Sequence, residues 1–149
     1  MIIDHLGVVV KSIEAGIEQW ERLFDYKQMT EIVINTRQRV KVVFLSKQGS
    51  LTVKLVQPLD ETSPVYKFAA KGGGVHHICF KCNDLNEELL RLSEKGLQIT
   101  TKPQPGEAFE NEDIAFVYAR NGLHIELIAT DRKANRIDTA GEDFLEGQQ

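Results

Sequence analysis

The chain has 149 residues, of which 42% are hydrophobic and 27% charged, a composition typical of a globular protein with a domain-sized core. Its net charge of -4 and pI near 5.6, without any run of basic residues, argue against a surface for nucleic acids or anionic membranes. The N-terminal stretch carries Asp4 and His5 among its apolar residues and is too short to span a bilayer, so we interpret it as an internal strand and the protein as cytoplasmic.

The first 58 residues are predicted to form a βαβββ unit. DHLGVVV (4–10) reads as a strand, and Ser12 is placed to cap an amphipathic helix over 12–24. Three strands follow, of which TEIVINT (30–36) is the least regular. The last two, VKVVFLS and LTVKLVQ, are predicted to form a hairpin around Gly49.

The second half repeats the first after a linker. Residues 59–72 are predicted to form a short helix that ends in a glycine run, and 73–129 then match 1–58 without a gap at an offset of 72. The apolar stripes of the first helix and of a second helix over 84–95 are equivalent: Ile13, Ile17 and Trp20, then Leu85, Leu89 and Leu92.

Two segments of the second half are irregular. KPQPGEAFENED (102–113) is expected to form a loop that closes one rim of a cup and shapes specificity. Residues 130–149 lose periodicity and are predicted to be a polar, mobile C-terminal tail.

The two cysteines, Cys79 and Cys82, form a C-x-x-C that invites a zinc or redox interpretation. Residues three apart on a strand point to opposite faces, so these thiols are not expected to share an ion or a disulfide. A reducing compartment fits this usage.

Strand alternation places four chemically active side chains on the sheet face away from the helices. Those side chains are His5, Lys54, His77 and Glu126. The histidines are 72 positions apart, as are Lys54 and Glu126, so a pseudo-twofold axis would bring the four together. Two imidazoles and a carboxylate on a concave face predict a divalent metal site of the 2-His-1-carboxylate type. The alternative is that both histidines are only structural.

Three segments resemble the vicinal-oxygen-chelate superfamily, which includes glyoxalase I, bleomycin-resistance proteins, fosfomycin-resistance enzymes, extradiol dioxygenases and methylmalonyl-CoA epimerase. They are IDHLGVVVKSIEAGIEQW, VQPLDETSPVYKFAAKGGGVHHICFKCNDL and GLHIELI. The chain is most similar to the epimerase-like branch. The resemblance implies an α+β fold of paired βαβββ modules forming a curved, mostly antiparallel, eight-stranded open barrel with helices on the convex side.

The resemblance also implies a site and its partners. A divalent ion (Zn, Co, Ni, Mn or Fe) would lie at His5, His77, Glu126 and the position of Lys54. The substrate would be a small molecule such as an acyl-CoA, and a homodimer is the assembly common among relatives.

Lys54 departs from the epimerase-like pattern, which has Glu or Gln there. A protonated ammonium offers no lone pair and repels a dication. Either the metal keeps three protein ligands plus water, or Lys54 pairs with Glu126 and the site is metal-free. A lysine that loses its proton beside a dication would be a base or a ligand. RVKVVFLS also lacks the second acid of some relatives, which argues against strict epimerisation.

The sequence therefore predicts an isomerase or epimerase-like enzyme that works through an enolate on a small 2-substituted acyl compound or thioester. Glu126 would ligate the metal and move a proton, and Lys54 would be a second base, an acid or an anion holder. Two alternatives remain open: a binding or resistance protein without turnover, which Lys54 favours by weakening the metal, and a ferrous dioxygenase that uses His5, His77 and Glu126.

Overall fold

The computed structural model describes residues 1–137 and contains two βαβββ modules that share one sheet. Module 1 consists of β1 (Ile2–Val9), α1 (Ile13–Phe24), β2 (Lys27–Gln28), β3 (Val33–Asn35), β4 (Val40–Ser46) and β5 (Thr52–Pro58). The linker contains α2 (Tyr66–Ala70). Module 2 consists of β6 (Gly74–Lys81), α3 (Leu85–Glu94), β7 (Gln98–Gly106), a 3₁₀ turn (Glu107–Phe109), β8 (Glu112–Ala119) and β9 (Leu123–Ile128).

The two long helices begin where the sequence predicts, because each has a side-chain cap. The Ser12 hydroxyl accepts a hydrogen bond from the Ala15 N–H, and the Asp84 carboxylate accepts one from the Glu87 N–H. Both helices pack their apolar stripes on the same side of the sheet as predicted. Within residues 1–137, no helix is long and apolar enough to cross a lipid bilayer.

The sheet is open and has the strand order β2-β4-β5-β1-β6-β9-β8-β7, with β3 pairing beside this path to β4. At its centre β1 and β6 are antiparallel, and each has a parallel partner on its outer side, β5 and β9 respectively. The order is thus nearly symmetric about the β1–β6 pair. This confirms the predicted α+β architecture of paired modules.

Strand alternation divides the core into layers. Residues such as Val8, Val53 and Leu55 pack under α1, and Leu127 packs under α3. The opposite, concave face holds a separate aromatic and aliphatic cluster that includes Phe44, Phe109 and Phe116. Cys79 belongs to the concave cluster and Cys82 to the layer under α3, and both are free thiols.

Residues 1–137 contain nine strands where eight are expected, because the short β2 (Lys27–Gln28) precedes β3 (Val33–Asn35), which lies within the predicted strand 30–36. Thr30, between them, is fully buried, and its hydroxyl accepts a hydrogen bond from the Phe44 N–H. Thr30 also forms an isolated bridge with Arg136. The chain near the C-terminus therefore pairs with the segment between β2 and β3.

Residues 131–137, within the segment predicted to be a mobile tail, pack against both modules. The Ala134 N–H donates to the Ala108 carbonyl, and the Ile137 N–H donates to the Met29 carbonyl. These bonds close the cup across the ends of the sheet. Residues 138–149 lie outside the described part of the chain.

The segment 102–113, expected to be a rim loop, is mostly regular. β7 extends to Gly106 and pairs with β8, although its register shifts twice between Ile99 and Gln104. The following 3₁₀ turn buries Phe109 completely in the concave cluster. The expectation of a loop was wrong because an aromatic side chain anchors this segment in the core.

Candidate active site and metal centre

Four side chains from the central strands meet at the bottom of the cup. They are His5 of β1, Lys54 of β5, His77 of β6 and Glu126 of β9, and each is at most 4% exposed. The structure thus brings together all four residues that the sequence places in one site. Buried charged groups at this depth need partners, and the Lys54 ammonium and the Glu126 carboxylate are each other's partner.

The repeat explains how the four residues meet. Four register pairs are related by the pseudo-twofold axis: His5–Cys79, Gly7–His77, Gly7–Lys54 and Cys79–Glu126. Gly7 is required at its position, because a Cβ atom there would lie 2.1 to 2.4 Å from atoms of the His77 ring. The small residue in β1 therefore makes room for the histidine of β6.

Glu126 is the centre of the cluster. Its Oε1 atom lies 3.0 Å from the Lys54 Nζ, 2.9 Å from the His5 Nε2 and 3.3 Å from the His77 Nε2. Its Oε2 atom lies 3.2 Å from the same Lys54 Nζ. The Lys54 ammonium therefore contacts both oxygens of the carboxylate, and the two imidazoles lie next to Oε1.

The three donors suit a divalent cation. His5, His77 and Glu126 each offer a ligand atom, and these atoms lie within 4.8 Å of one another. The His77 Nε2 is buried, lies 3.3 Å from the Glu126 Oε1 and makes no hydrogen bond. A buried acceptor without a donor is costly, and a cation bound between these atoms would satisfy it. The three ligand atoms fit a metal site of the 2-His-1-carboxylate type. Lys54 lies where a fourth protein ligand would be.

A second group of potential ligands, Asp4, His5 and Cys79, shares one member with the first. Burial raises the pKa of the Cys79 thiol well above its usual value. The thiol is thus kept protonated, and a protonated thiol is a poor metal ligand. The group around Glu126 is the better candidate.

The charge state of the cluster follows from its contacts. Burial opposes ionisation of Glu126, but the Lys54 ammonium and the contact with His5 outweigh it and hold the pKa of the carboxyl well below its usual range. Burial lowers the pKa of His77 to about 4, so this imidazole is neutral at physiological pH. Glu126 is thus an anionic carboxylate and His77 a neutral imidazole, and these are the forms in which the two side chains bind metals.

Two charged residues that the sequence analysis did not single out contact the cluster on the side of the His5 Nδ1. The Asp4 Oδ2 lies 2.7 Å from the His5 Nδ1 and 3.2 Å from the Lys133 Nζ. Lys133 is only 8% exposed, and its Nζ lies over the rings of Phe44 and Phe109. Nothing in the aperiodic segment around Lys133 signals this contact, whereas Asp4 adjoins a predicted ligand.

A pocket of about 380 Å³ opens above the cluster. Its described wall contains the polar residues Arg37, Gln38, Lys54, His76, His77, Thr101, Gln104 and His124, and the apolar residues Val40, Val42, Val56, Pro64, Val65 and Phe116. Among these residues there is no carboxylate. The wall is therefore apolar with basic and neutral polar groups, which suits a small anionic ligand.

Residues 4–116 match the family model described as the Glyoxalase/Bleomycin resistance protein/Dioxygenase superfamily. The match covers more than half of the chain and includes the strands that carry His5, Lys54 and His77. The chain belongs to this superfamily. The resemblance noted in the sequence is thereby confirmed.

Members of the superfamily resemble this chain over most of its length. The uncharacterized protein YqjC of Bacillus subtilis (strain 168) is 34% identical over 84% of this chain and 89% of its own. The ethylmalonyl-CoA/methylmalonyl-CoA epimerase of Cereibacter sphaeroides is 26% identical, over 84% of this chain and 95% of its own. The crystal structure of methylmalonyl-CoA epimerase from Mycobacterium tuberculosis superposes with a TM-score of 0.76 at 28% identity, covering 85% of this chain and 86% of that one.

Proposed function

We propose that the protein is a metal-assisted isomerase or epimerase-like enzyme that moves a proton at the carbon next to the carbonyl of a small 2-substituted acyl compound. The observation that carries the proposal is the cluster itself: two histidines and a carboxylate converge under a pocket, and the Nε2 atom of His77 has no other partner. Similarity to epimerases supports the class of reaction.

His5, His77 and Glu126 would hold the divalent ion. When bound, such an ion supplies positive charge that stabilises an enolate, an effect worth several kcal/mol. The chain's own contribution is a dry, fully buried donor set at the end of an apolar pocket, where charge stabilisation is stronger than in water.

Lys54 and Glu126 would handle the proton. Lys54 lines the pocket and also contacts both oxygens of Glu126, so it is placed between the substrate and the carboxylate. Its Nζ can donate to a developing enolate oxygen and share a proton with Glu126. The described pocket wall has no carboxylate on the opposite side. Lys54 is therefore the chain's candidate for the second proton-transfer group that epimerisation needs.

The proposed substrate is an acyl thioester such as a 2-alkylmalonyl-CoA, the class that the named relatives act on. A cavity of about 380 Å³ fits the short acyl group, and the nucleotide would lie outside its mouth. The positive charges of Arg37 and Lys54 would attract the negatively charged carboxylate of the substrate.

Exchange of the substrate's C2 proton tests the proposal. The protein is freed of metal with a chelator, reloaded with Co²⁺, Zn²⁺, Mn²⁺ or Ni²⁺, and incubated in D₂O with methylmalonyl-CoA and ethylmalonyl-CoA. We expect deuterium at C2 by mass spectrometry with at least one ion, and loss of the exchange in Glu126→Gln. Absence of exchange with every ion and both thioesters would contradict the proposed activity.

A second candidate is a small-molecule binding protein without turnover. The specific observation in its favour is the Lys54–Glu126 pair, which neutralises the carboxylate and sets a cation where a fourth ligand would be. This candidate predicts saturable binding of an anionic ligand to protein that contains no metal. Equilibrium dialysis of the thioesters against chelator-treated protein, combined with the exchange assay, separates the two candidates.

A further inference from the structure

Two β-bulges interrupt the central β1–β6 pair, one in each module. Pairing passes from Ile3 directly to His5 on β1, which leaves Asp4 as the extra residue. On β6 the pairing passes from Val75 to His77, which leaves His76 as the extra residue. Asp4 and His76 are 72 positions apart, so the bulges are equivalent under the pseudo-twofold axis.

Each extra residue contacts the Nδ1 atom of the histidine that follows it. The Asp4 Oδ2 lies 2.7 Å from the His5 Nδ1, and the His76 Nδ1 lies 2.9 Å from the His77 Nδ1. On a regular strand, neighbouring side chains point to opposite faces and could not make these contacts. A bulge puts two successive residues on one side and re-aims their side chains.

Both contacting residues are themselves held in place. Asp4 is paired with Lys133, whose Nζ lies 3.2 Å from the Asp4 Oδ2. The His76 ring is packed edge-on against Phe68 and His124, with centroids 5.1 and 4.9 Å away. Neither Asp4 nor His76 can therefore turn freely.

The contacts decide which nitrogen of each ring faces the cup. A neutral imidazole has one N–H donor and one acceptor nitrogen. A proton on Nδ1 that is shared with His76 leaves the Nε2 of His77 as the acceptor nitrogen that faces the cup. The Nε2 of His5 lies 2.9 Å from the Glu126 Oε1 and donates to this carboxylate in the metal-free chain, so its lone pair becomes available when a cation displaces that proton. The absence of a hydrogen bond at the His77 Nε2 agrees with this arrangement.

We propose that Asp4 and His76 are positioning residues, placed by the two bulges, that hold the rings of His5 and His77 through Nδ1 and so keep Nε2 turned toward Glu126. This inference rests on the proposed metal centre for its functional meaning. The two partners differ in chemistry: Asp4 is an anionic acceptor and His76 a neutral one. His5 is therefore the more electron-rich of the two ligands, because a carboxylate partner raises ligand basicity.

The test uses two variants that remove the acceptor and two that keep one. Asp4→Ala removes the carboxylate. His76→Phe keeps the aromatic contacts with Phe68 and His124 and removes the nitrogen. Asp4→Asn and His76→Asn each retain an oxygen that can accept from Nδ1. Asp131→Asn is the matched control, because it removes an exposed carboxylate whose ion pair in the described part of the chain is with the half-buried Lys81.

Two measurements are made on each variant. Calorimetric titration with Co²⁺ gives the metal affinity, for which we expect a loss of about 10- to 100-fold in Asp4→Ala and His76→Phe and near-native values in the other three. Long-range ¹H–¹⁵N correlation spectra of metal-free protein report which imidazole nitrogen is protonated. We expect protonated Nδ1 on His77 in the native chain, and a changed ¹⁵N pattern for His77 in His76→Phe and for His5 in Asp4→Ala.

The outcomes are decisive in both directions. Unchanged affinity together with unchanged ¹⁵N patterns in Asp4→Ala and His76→Phe would overturn the inference. Equal losses in the Asn variants would also overturn it, since they retain the acceptor. If the native chain binds no metal, the proposed metal centre fails, and the ¹⁵N patterns alone then decide the positioning role.

Discussion

Lys54 is the residue at which the two modules differ most in chemistry. It occupies the position equivalent to Glu126, and its Nζ reaches both oxygens of that carboxylate. An ion pair this deeply buried stabilises little by itself, because desolvation offsets much of the attraction, but removing one partner leaves an uncompensated charge. Lys54 therefore both neutralises Glu126 and competes with any cation that binds there.

Replacing Lys54 tests this competition. Lys54→Gln and Lys54→Glu exchange a cation for an acceptor beside the ion, and a charge pair at ~4 Å and an effective dielectric of ~20 contributes about 4 kcal/mol before desolvation. We expect divalent metal to bind at least about tenfold more tightly to both variants, measured by calorimetric titration. His77→Ala is the opposite control and should lose the ion.

Activity then separates the roles of the lysine. If Lys54 moves a proton or holds an enolate, both variants lose C2 exchange although they gain metal. If Lys54 only stands where a metal ligand would be, both variants gain metal affinity and C2 exchange. Unchanged metal affinity in both Lys54 variants would show that the ammonium does not act on the metal position.

The neutral state of His77 makes folding of the metal-free protein depend on pH. Burial lowers its pKa to about 4, whereas an unfolded chain titrates near 6.5, so at pH 5 the unfolded state binds more protons. The stabilisation is complete above about pH 6.5 and is lost as the pH falls toward 4. We expect the free energy of unfolding in urea to fall by about 2 kcal/mol from this residue between pH 7 and pH 5. His77→Asn should show a correspondingly smaller fall; an equal fall would refute the assignment.

At the scale of elements, the central β1–β6 pair does more than join the modules. Its bulges turn Asp4 and His76 toward the ligating rings, and its one glycine, Gly7, leaves space for His77. The strands on either side then bring Lys54 and Glu126 to the same depth. The site is thus built on the strands of the sheet rather than on loops, which favours a rigid geometry.

The space at Gly7 can be tested by filling it. A Cβ atom at this position would lie 2.1 to 2.4 Å from His77 ring atoms, so Gly7→Ala must displace the ring. We expect a loss of about 1–3 kcal/mol in the free energy of unfolding and loss of metal binding. In a His77→Ala background the same substitution should cost little, because the obstructing ring is gone. A double-mutant cycle by chemical denaturation measures the coupling, and additive effects would contradict the proposed contact.

Sequence reasoning was most successful where the apolar pattern repeats. The offset of 72 and strand alternation were enough to predict the paired modules and to select Lys54 and Glu126 for one face. They did not predict that the strand expected over 30–36 is only Val33–Asn35, or that Thr30 pairs with Arg136, about one hundred residues away. Nor did they find the bulge at Asp4, because alternation assumes a regular strand and a bulge breaks that rule.

At the scale of the whole molecule, the segment 131–137 connects the modules to the back of the site. It contributes three backbone hydrogen bonds, to Met29, Glu31 and Ala108, and brings Lys133 to Asp4. It therefore acts as a structural part of the cup. The homodimer that the resemblance implies stays a prediction, to be checked by light scattering.

Truncation measures the contribution of this segment. A chain that ends at Thr130 loses these hydrogen bonds, each worth about 1 kcal/mol, and leaves Asp4 without its ammonium. We expect it to be less stable by about 2–4 kcal/mol in urea denaturation. The control chain ends at Ile137 and keeps every described contact. Equal stability of the two truncated chains would show that residues 131–137 contribute nothing.

The unlike residues at the paired positions Lys54 and Glu126 also determine which halves can associate. Two copies of module 1 arranged about the same axis would bury two ammonium groups against each other, and two copies of module 2 would bury two carboxylates. Either assembly would carry an unpaired like charge in a water-free interior, which costs several kcal/mol for each ion. Only the mixed pairing is electrically neutral. The two modules therefore resemble the unlike subunits of a heterodimer that are joined by a linker. Opposite charges at Lys54 and Glu126 favour the pairing of one module with the other.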